Sequence, residues 1–288
     1  MKDHFHKMPE LPEVETIKRG LLPRLRGKVI RRVIIPDDSR GSRLLRRYPS
    51  KRSFIRKLTG RRIITLKRRA KYLLLHLDTN EILIIHLGMS GQLLLLPDRS
   101  VAPPYTRLIL KIAAAGRLCL IDPRKFGEVY LFSKKEGHTT IDPFSLGPEP
   151  LLKSFTPEVL GRSLKKSRSV IKTVLLDQKI VAGLGNIYTD EALFRAGIHP
   201  RRRSSGLTGR EIERLFQGIR EVLREAINLH GTTAADRRYV DSKGEPGRFQ
   251  ARLNVYQRKG ERCPRCGAII ETVKLGGRTA HFCPHCQK

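Results

Sequence analysis

Apolar residues recur along this chain in two rhythms. From Pro12 onward, Val14, Ile17, Leu21 and Leu25 follow at spacings of three and four, the period that gathers side chains on one face of an α-helix. Pro12 suits the first turn of that helix, and Glu13 and Glu15 suit its positive dipole end. Between residues 28 and 132 the rhythm shortens to β-rich runs at 29–35, 62–66, 72–77, 82–87, 92–96, 108–112, 117–121 and 129–132. Turn residues such as Asp78-Thr79-Asn80 and Ala115-Gly116 separate the runs at hairpin spacing, which predicts a β-sandwich or barrel. Gly137, Pro143, Gly147, Pro148 and Pro150 mark a linker over 137–152. Helical periodicity returns at 157–164, 169–181 and 187–196. It is clearest over 209–229, where Ile212, Leu215, Phe216, Ile219, Val222, Leu223 and Ile227 form one apolar face. The polar, glycine-rich stretch 231–250 reads as a loop, and a loop of that length is either functional or disordered.

Composition adds a partner to this outline. Lysine and arginine total 58 against 27 acidic residues, and the formal charge of +31 calls for a polyanion. Nucleic acid is the first candidate and a membrane surface the second. No apolar run approaches the ~20 residues that span a bilayer, and residues 1–7 are short and polar with no secretory pattern behind them. The expectation is therefore a cytoplasmic protein. A 39% hydrophobic fraction over 288 residues is globular and leaves room for two domains. Four of the five cysteines fall within residues 263–288, which suggests a metal site in a reducing compartment rather than a disulfide framework.

Candidate chemistry is concentrated at the two ends. If Met8 is the initiator and is removed, Pro9 presents a free secondary amine beside Glu10. An α-amino group with pKa about 7.7–8.0 is partly unprotonated at neutral pH and can condense with an aldehyde carbon to a Schiff base. Taken alone, Pro9 and Pro12 serve equally well as punctuation at a helix start. Three inter-strand loops carry unusual residues: Lys67-Arg68-Arg69-Ala70-Lys71, His86-Leu87-Gly88-Met89-Ser90-Gly91, and Asp122-Pro123-Arg124-Lys125-Phe126-Gly127. Each by itself reads as a solvated turn or a core plug. Together, basic and apolar loop tips on a basic protein resemble a DNA wedge. In Ala182-Gly183-Leu184-Gly185-Asn186 two glycines precede a helix start that suits a phosphate, with Arg168 and Lys172 nearby, although a plain helix-helix turn fits as well. At the C-terminus, Cys263-Pro264-Arg265-Cys266 and Cys283-Pro284-His285-Cys286 have zinc-ribbon spacing, which predicts one closed, structural Zn2+ on four thiolates. His285 reads as a bystander, Cys119 as a buried thiol, and Gly276-Gly277-Arg278-Thr279 as a hairpin tip holding Arg278 towards a partner.

MPELPEVET from Met8, RRAKYLLL, HLGMSG, DPRKFG, GLGNIYTDEALFRAGIHP, VYQRKGERC and FCPHCQ, in that order and spanning Met8 to Lys288, resemble the bacterial formamidopyrimidine-DNA glycosylases. The relatives called endonuclease VIII typically begin Pro-Glu-Gly-Pro, and Leu11 follows the formamidopyrimidine type. The resemblance implies an α+β fold of two lobes: an N-terminal β-sandwich with an N-terminal helix, then a helix-two-turn-helix domain plus a zinc ribbon. It implies a monomer acting on double-stranded DNA that contains oxidised bases or abasic sites. An oxidised purine is flipped from the stack, since chemistry on a stacked base is out of reach, and Pro9 displaces it from the sugar. The strand is then cut by β,δ-elimination. By position, Glu10 protonates the sugar ring oxygen, Glu13 supports the site, Lys71 serves phosphate contact and β-elimination, and Arg278 serves phosphate contact and δ-elimination. Met89, Arg124 and Phe126 fill the gap, Arg124 facing the orphaned cytosine, and Asn186 binds phosphate.

Two departures from the family pattern stand out. Pro104-Tyr105-Thr106-Arg107 replaces a common histidine, so a DNA contact there falls to Tyr105. The extension before Met8 would turn the Pro9 nitrogen into an unreactive amide, so the active protein is expected to start at Pro9. The expected divisions are an extension with its initiator methionine at 1–8, a catalytic β-sandwich at 9–136, the 137–152 linker, a helix-two-turn-helix domain at 153–250 with a lesion-recognition loop at 231–250, and the zinc ribbon at 251–288. Localisation is expected to be the bacterial cytoplasm, on the nucleoid when DNA is bound. Two other readings remain: a glycosylase of this fold acting on oxidised pyrimidines, and a non-enzymatic zinc-ribbon DNA-binding protein.

Overall fold

A computed structural model describes residues 8–36, 44–46, 48, 50–133, 143–233 and 239–288. The expected extension at 1–7, residues 137–142 of the linker and residues 234–238 of the 231–250 loop lie outside the described residues. The chain divides into two compact units, Met1–Pro143 with Leu229–Arg248, and Phe144–Asn228 with Phe249–Lys288.

The first unit begins with α1 (Leu11–Leu25), whose Val14, Ile17, Leu21 and Leu25 are fully or almost fully buried, as the spacing predicts. Eight strands follow: β1 (Ile30–Ile34), β2 (Ile63–Arg69), β3 (Tyr72–Leu77), β4 (Glu81–His86), β5 (Gln92–Leu96), β6 (Thr106–Ile112), β7 (Gly116–Ile121) and β8 (Glu128–Ser133). They form two four-stranded antiparallel sheets, β1-β6-β7-β5 and β2-β3-β4-β8, so the sandwich holds and the barrel does not. One core cluster takes Leu93, Leu108, Leu110, Leu118 and Leu120 from the first sheet. From the second it takes Leu66, Leu73, Leu75, Leu83, Ile85 and Val129, and it closes against the buried face of α1. Each such fully buried side chain contributes about 1.5–3 kcal/mol relative to exposure.

A helix that the strand pattern hides, α2 (Lys51–Leu58), lies between β1 and β2. Ser50 caps it by accepting the Ser53 N–H at 3.3 Å, and Phe54 and Leu58 bury its inner face. The stretch 229–248, grouped with the helical domain from sequence, packs in the first unit instead. The physical reason is direct: Tyr239 is part of the sandwich core, and Leu95 N–H donates to Ser242 O at 3.0 Å.

The second unit contains α3 (Pro157–Lys165), α4 (Ile171–Leu176), α5 (Asn186–Ala196), α6 (Gly209–Asn228) and the hairpin β9 (Glu271–Leu275) and β10 (Arg278–Phe282). The helix expected over 169–181 is only α4. Val170 is extended and bridges to Arg203. At the other end Gln178 donates to Leu176 O and Leu184 O and accepts the Gly183 N–H, which fixes a tight connection into α5. Among the described residues no helix is long and apolar enough to cross a membrane.

Candidate functional site

In the first unit the start of α1 is built from its acidic residues. Pro9 and Glu10 immediately precede the helix and are buried, with Glu10 as its N-cap. Glu13 is 1% exposed. One of its carboxylate oxygens accepts the Glu10 N–H at 2.9 Å and the other accepts the Thr232 N–H at 2.7 Å. A single side chain therefore fixes the residue after Pro9 and the stretch that begins the 231–250 loop. Gly231 makes this approach possible. Its φ is +83°, and a Cβ there would stand 2.8 Å from Glu13 Oε1. Tyr239 seals the group, its hydroxyl donating to His230 O at 3.0 Å. Burial, with the Glu13 charge beside it, pushes that hydroxyl well above its ordinary pKa.

Lys71 lies in the two-residue loop between β2 and β3, after Ala70 at φ 52°, and is buried. Arg68 determines where the loop lies. Its Nη1 donates to Ala70 O at 3.0 Å while its Nε donates to Glu15 Oε2 on α1 at 3.1 Å. Lys18 and Arg19 share the other oxygen of Glu15 at 2.7 and 3.0 Å. Burial raises the pKa of this carboxylate, but the Lys18 hydrogen bond and the Lys18 and Arg68 charges outweigh it, so the group titrates below its ordinary value.

Met89, Arg124, Phe126 and Tyr105 come together at one end of the sheet β1-β6-β7-β5. Asp122, 1% exposed, is the hub, and sequence reading assigned it no role. Its carboxylate accepts the Ser90 hydroxyl, the Arg124 N–H at 3.3 Å and the Gly127 N–H at 2.6 Å, while its own N–H donates to Tyr105 O at 3.0 Å. Gly88, at φ +62°, lets the Met89 turn press on the Phe126 backbone, where a Cβ would stand 2.5 Å from the Phe126 carbonyl carbon. The Arg124 guanidinium stacks 5.2 Å from the Phe126 ring centroid. Tyr105 is 61% exposed. The result is a semi-rigid set of one thioether, one phenyl and one guanidinium on adjoining loops.

In the second unit Asn186 opens α5, and its Nδ2 donates to Thr279 O on the zinc hairpin at 3.0 Å. Arg278, the next residue along that hairpin towards its tip, is exposed, as is Arg168 between α3 and α4. Lys172 corrects an expectation. Placed at a phosphate from sequence, it is 0% exposed, with Nζ 2.6 Å from Asp190 Oδ1 and 3.2 Å from Asn186 O. The other Asp190 oxygen accepts the His281 N–H at 3.1 Å and meets His281 Nδ1 at 3.0 Å. Lys172 therefore orients the start of α5 and, through Asp190, strand β10. Neighbouring Glu191 accepts the N–H groups of Asn254, Val255 and Tyr256 at 2.9–3.0 Å, which fixes the chain entering the ribbon.

Cys263, Cys266, Cys283 and Cys286 bring their sulfurs within 4.8 Å of one another. Sulfurs about 2.3 Å from a tetrahedral zinc lie about 3.8 Å apart. The Cys263–Cys286 and Cys266–Cys283 separations of 3.9 and 3.5 Å bracket that value, so this donor set fits zinc. The backbone N–H of Ala268 and the other three thiols help bring Cys266 down to about 6. Burial and the same neighbours push Cys286 up to about 12. Crowded sulfurs of this kind compete for protons, and a divalent cation that replaces those protons relieves the crowding. His285 is exposed, and Cys119 is buried with its thiol pKa raised by burial.

Comparison with known proteins covers nearly all of this sequence. Residues 8–129 match the formamidopyrimidine-DNA glycosylase N-terminal domain, 146–238 the formamidopyrimidine-DNA glycosylase H2TH domain, and 260–288 a zinc finger found in FPG and IleRS. Formamidopyrimidine-DNA glycosylase of Carboxydothermus hydrogenoformans is 43% identical over 281 residues, covering 98% of this chain and 100% of that protein. The crystal structure of MutM (FPG) from Thermus thermophilus is similar with a TM-score of 0.85 at 41% identity, covering 97% of this chain and 98% of that one. Wild-type Lactococcus lactis Fpg (MutM), crystallised with N7-benzyl-Fapy-dG containing DNA, gives 0.86 at 36%, covering 97% and 100%.

Proposed function

The chain belongs to the formamidopyrimidine-DNA glycosylase family, and on that basis we propose that it is a bifunctional DNA glycosylase and AP lyase of base excision repair. Its substrates are double-stranded DNA carrying oxidised purines such as 8-oxoguanine or ring-opened formamidopyrimidines, and DNA with abasic sites. It acts as a monomer in the bacterial cytoplasm, on the nucleoid when bound.

The observation that carries the reading is the Glu13 bridge, which holds Glu10 and the residue before it in one place at the start of α1. With Met8 removed, the Pro9 nitrogen attacks the sugar C1′. The C1′–base bond breaks and its electron pair leaves with the base, which takes up the proton that the Pro9 nitrogen sheds. Glu10 donates a proton to the ring oxygen as the C1′–O4′ bond opens, and the C1′=N iminium forms. The iminium acidifies the adjacent C2′ proton. Its removal expels the 3′ phosphate, and a second elimination expels the 5′ phosphate. Lys71 serves the phosphate and the first elimination, Arg278 the second. Met89, Arg124 and Phe126 occupy the space left by the flipped nucleotide, and Tyr105 lies beside them. Asn186 and Arg168 hold phosphates, and Lys172 positions Asn186 rather than touching DNA. The zinc is structural: it holds the hairpin that carries Arg278 and takes no part in bond making.

Borohydride reduction in the presence of an 8-oxoguanine:cytosine duplex tests the scheme. The expected outcome is a covalent protein–DNA adduct that disappears in Pro9→Gly. A Pro9→Gly protein that is trapped and cleaves like the wild type, or a fully active lyase that retains Met8, would overturn it. Thymine glycol excised faster than 8-oxoguanine would move the substrate to oxidised pyrimidines.

A further inference from the structure

The outer face of the sheet β1-β6-β7-β5 carries cations that the proposed reaction does not use. Arg32 is the cross-strand partner of Lys111, and Lys111 is the partner of Arg117. Partners in register project to the same face, so three cations stand in a row on strands about 4.8 Å apart. Their neighbours Val33, Leu110 and Leu118 belong to the core, which turns the row outward. Beside it a cleft of about 680 Å³ is lined by Arg24, Arg31 and Lys111, with Asp98 as the one acid in its lining. Some basic side chains of this unit are paired, as Arg46 is with Glu128 and Arg68 with Glu15. Among the described residues none of these five cations forms an ion pair; Arg32 is exposed, and Lys111 and Arg117 are half-buried. Like charges directly opposite destabilise a sheet. A row of this kind is poor design for an empty surface and good design for a polyanion.

The row stands apart from the candidate reaction site. Arg24 lies in the last turn of α1 and Glu10 at its first, a separation of about 20 Å at 1.5 Å per residue. Arg117 and Lys111 lie at the opposite ends of their strands from the Asp122 loop and Tyr105, about 17–20 Å along the strand.

We propose that this face is a second DNA-backbone site, which holds an undamaged duplex segment while the reaction site is free or engaged elsewhere. The proposal rests on the reading that the chain acts on DNA. Duplex DNA is the occupant the charge favours. It carries one negative charge about every 1.7 Å of helix axis, a density that a row of cations neutralises with release of counterions. The formal charge of +31 is then shared between two footprints.

The test is the binding stoichiometry of a labelled undamaged duplex about one helical turn long, measured by fluorescence titration on the zinc-loaded full chain. Wild type is expected to bind two equivalents, the second weakening steeply with salt. The combined variant Arg24→Ser, Arg32→Ser, Lys111→Ser is expected to bind one, with the second weakened about tenfold or more. Its melting temperature should be unchanged or higher, because a repulsive row has been removed. The double variant Arg32→Ser, Lys111→Ser guards against a folding defect and should show the same direction of change. Saturation of wild type at one equivalent, or a second equivalent that survives the substitutions, would overturn the proposal. So would substitution-sensitive binding to phosphatidylserine vesicles without a second duplex. Excision of 8-oxoguanine from a short duplex, run on the same preparations, reports the reaction separately: its absence in wild type counts against the proposed function and not against the second site.

Discussion

Replacing Glu13 by glutamine isolates the chemistry of its carboxylate while keeping its shape. In the native protein both oxygens are acceptors for backbone N–H groups, those of Glu10 at 2.9 Å and Thr232 at 2.7 Å. Glutamine offers one acceptor oxygen and one amide that is itself a donor, so whichever way it turns, one N–H faces another. The change removes a charge-assisted hydrogen bond, worth about 1.5–3 kcal/mol, and leaves a buried donor unsatisfied, at about 1–3 kcal/mol. These effects overlap, and a total of about 2–4 kcal/mol is expected, or roughly 5–15 °C in the melting temperature of a unit this size. Calorimetry of the variant measures the loss, and amide hydrogen exchange at Glu10 and Thr232 shows which end has let go. Excision should fall with the exchange protection of Glu10. A Glu13→Gln protein that melts within about 1 °C of wild type with both amides protected would refute the claim that this carboxylate organises the start of α1.

Other outcomes follow from the same geometry. Asp190→Asn strands the buried Lys172 ammonium and should cost about 3–5 kcal/mol, whereas Asp190→Asn with Lys172→Met should recover much of it; an unchanged melt for the single variant would sink the ion-pair account. Tyr239 is neutral in both states below pH 10, its ordinary value. Above that the unfolded chain ionises while the folded one resists, so stability falls as pH rises. Tyr239→Phe should flatten this alkaline limb while losing about 1 kcal/mol at neutral pH with its bond to His230 O, and chemical denaturation at pH 8 and pH 11 would show the limb intact if the assignment is wrong. Chelating the zinc should loosen β9 and β10 and lower DNA affinity. A chelated protein with undiminished affinity would remove the ribbon from the DNA-binding surface.

What the sequence made legible was local, and what it hid was distant. The α1 face followed from four apolar residues at helical spacing, and the strands from alternation between turns. The cysteine site followed from two knuckles whose spacing only a metal rationalises. Helix α2 escaped because its exposed faces are so basic that Phe54, Ile55 and Leu58 are easily missed between them, although Ser50 was a readable cap. The 169–181 helix was overextended because nothing near Val170 announces its bridge to Arg203. Lys172 looked like a phosphate ligand because a lysine near a Gly-x-Gly turn usually is exposed. Its partner Asp190 is 18 residues away, one face of a helix that is buried nearly all round. Glu13 and Thr232 are separated by 219 residues, and no periodicity could have paired them. Asp122 was visible only as a loop acid, since its role lies in the backbone groups it collects.

The first unit is built from two separated stretches of chain, and this has a consequence for its birth on the ribosome. The sandwich strands have all emerged by Ser133, yet the segment Leu229–Arg248 that completes the unit comes roughly 100 residues later, a lag of about 5–20 s at ordinary synthesis rates. During that interval Glu13 has Glu10 but not Thr232, and the place that Tyr239 fills in the core stays open. The nascent protein thus carries the start of α1 half-fastened until most of its length exists, and a truncated product that lacks residues 229–248 should fold its strands while Glu13 holds Glu10 alone.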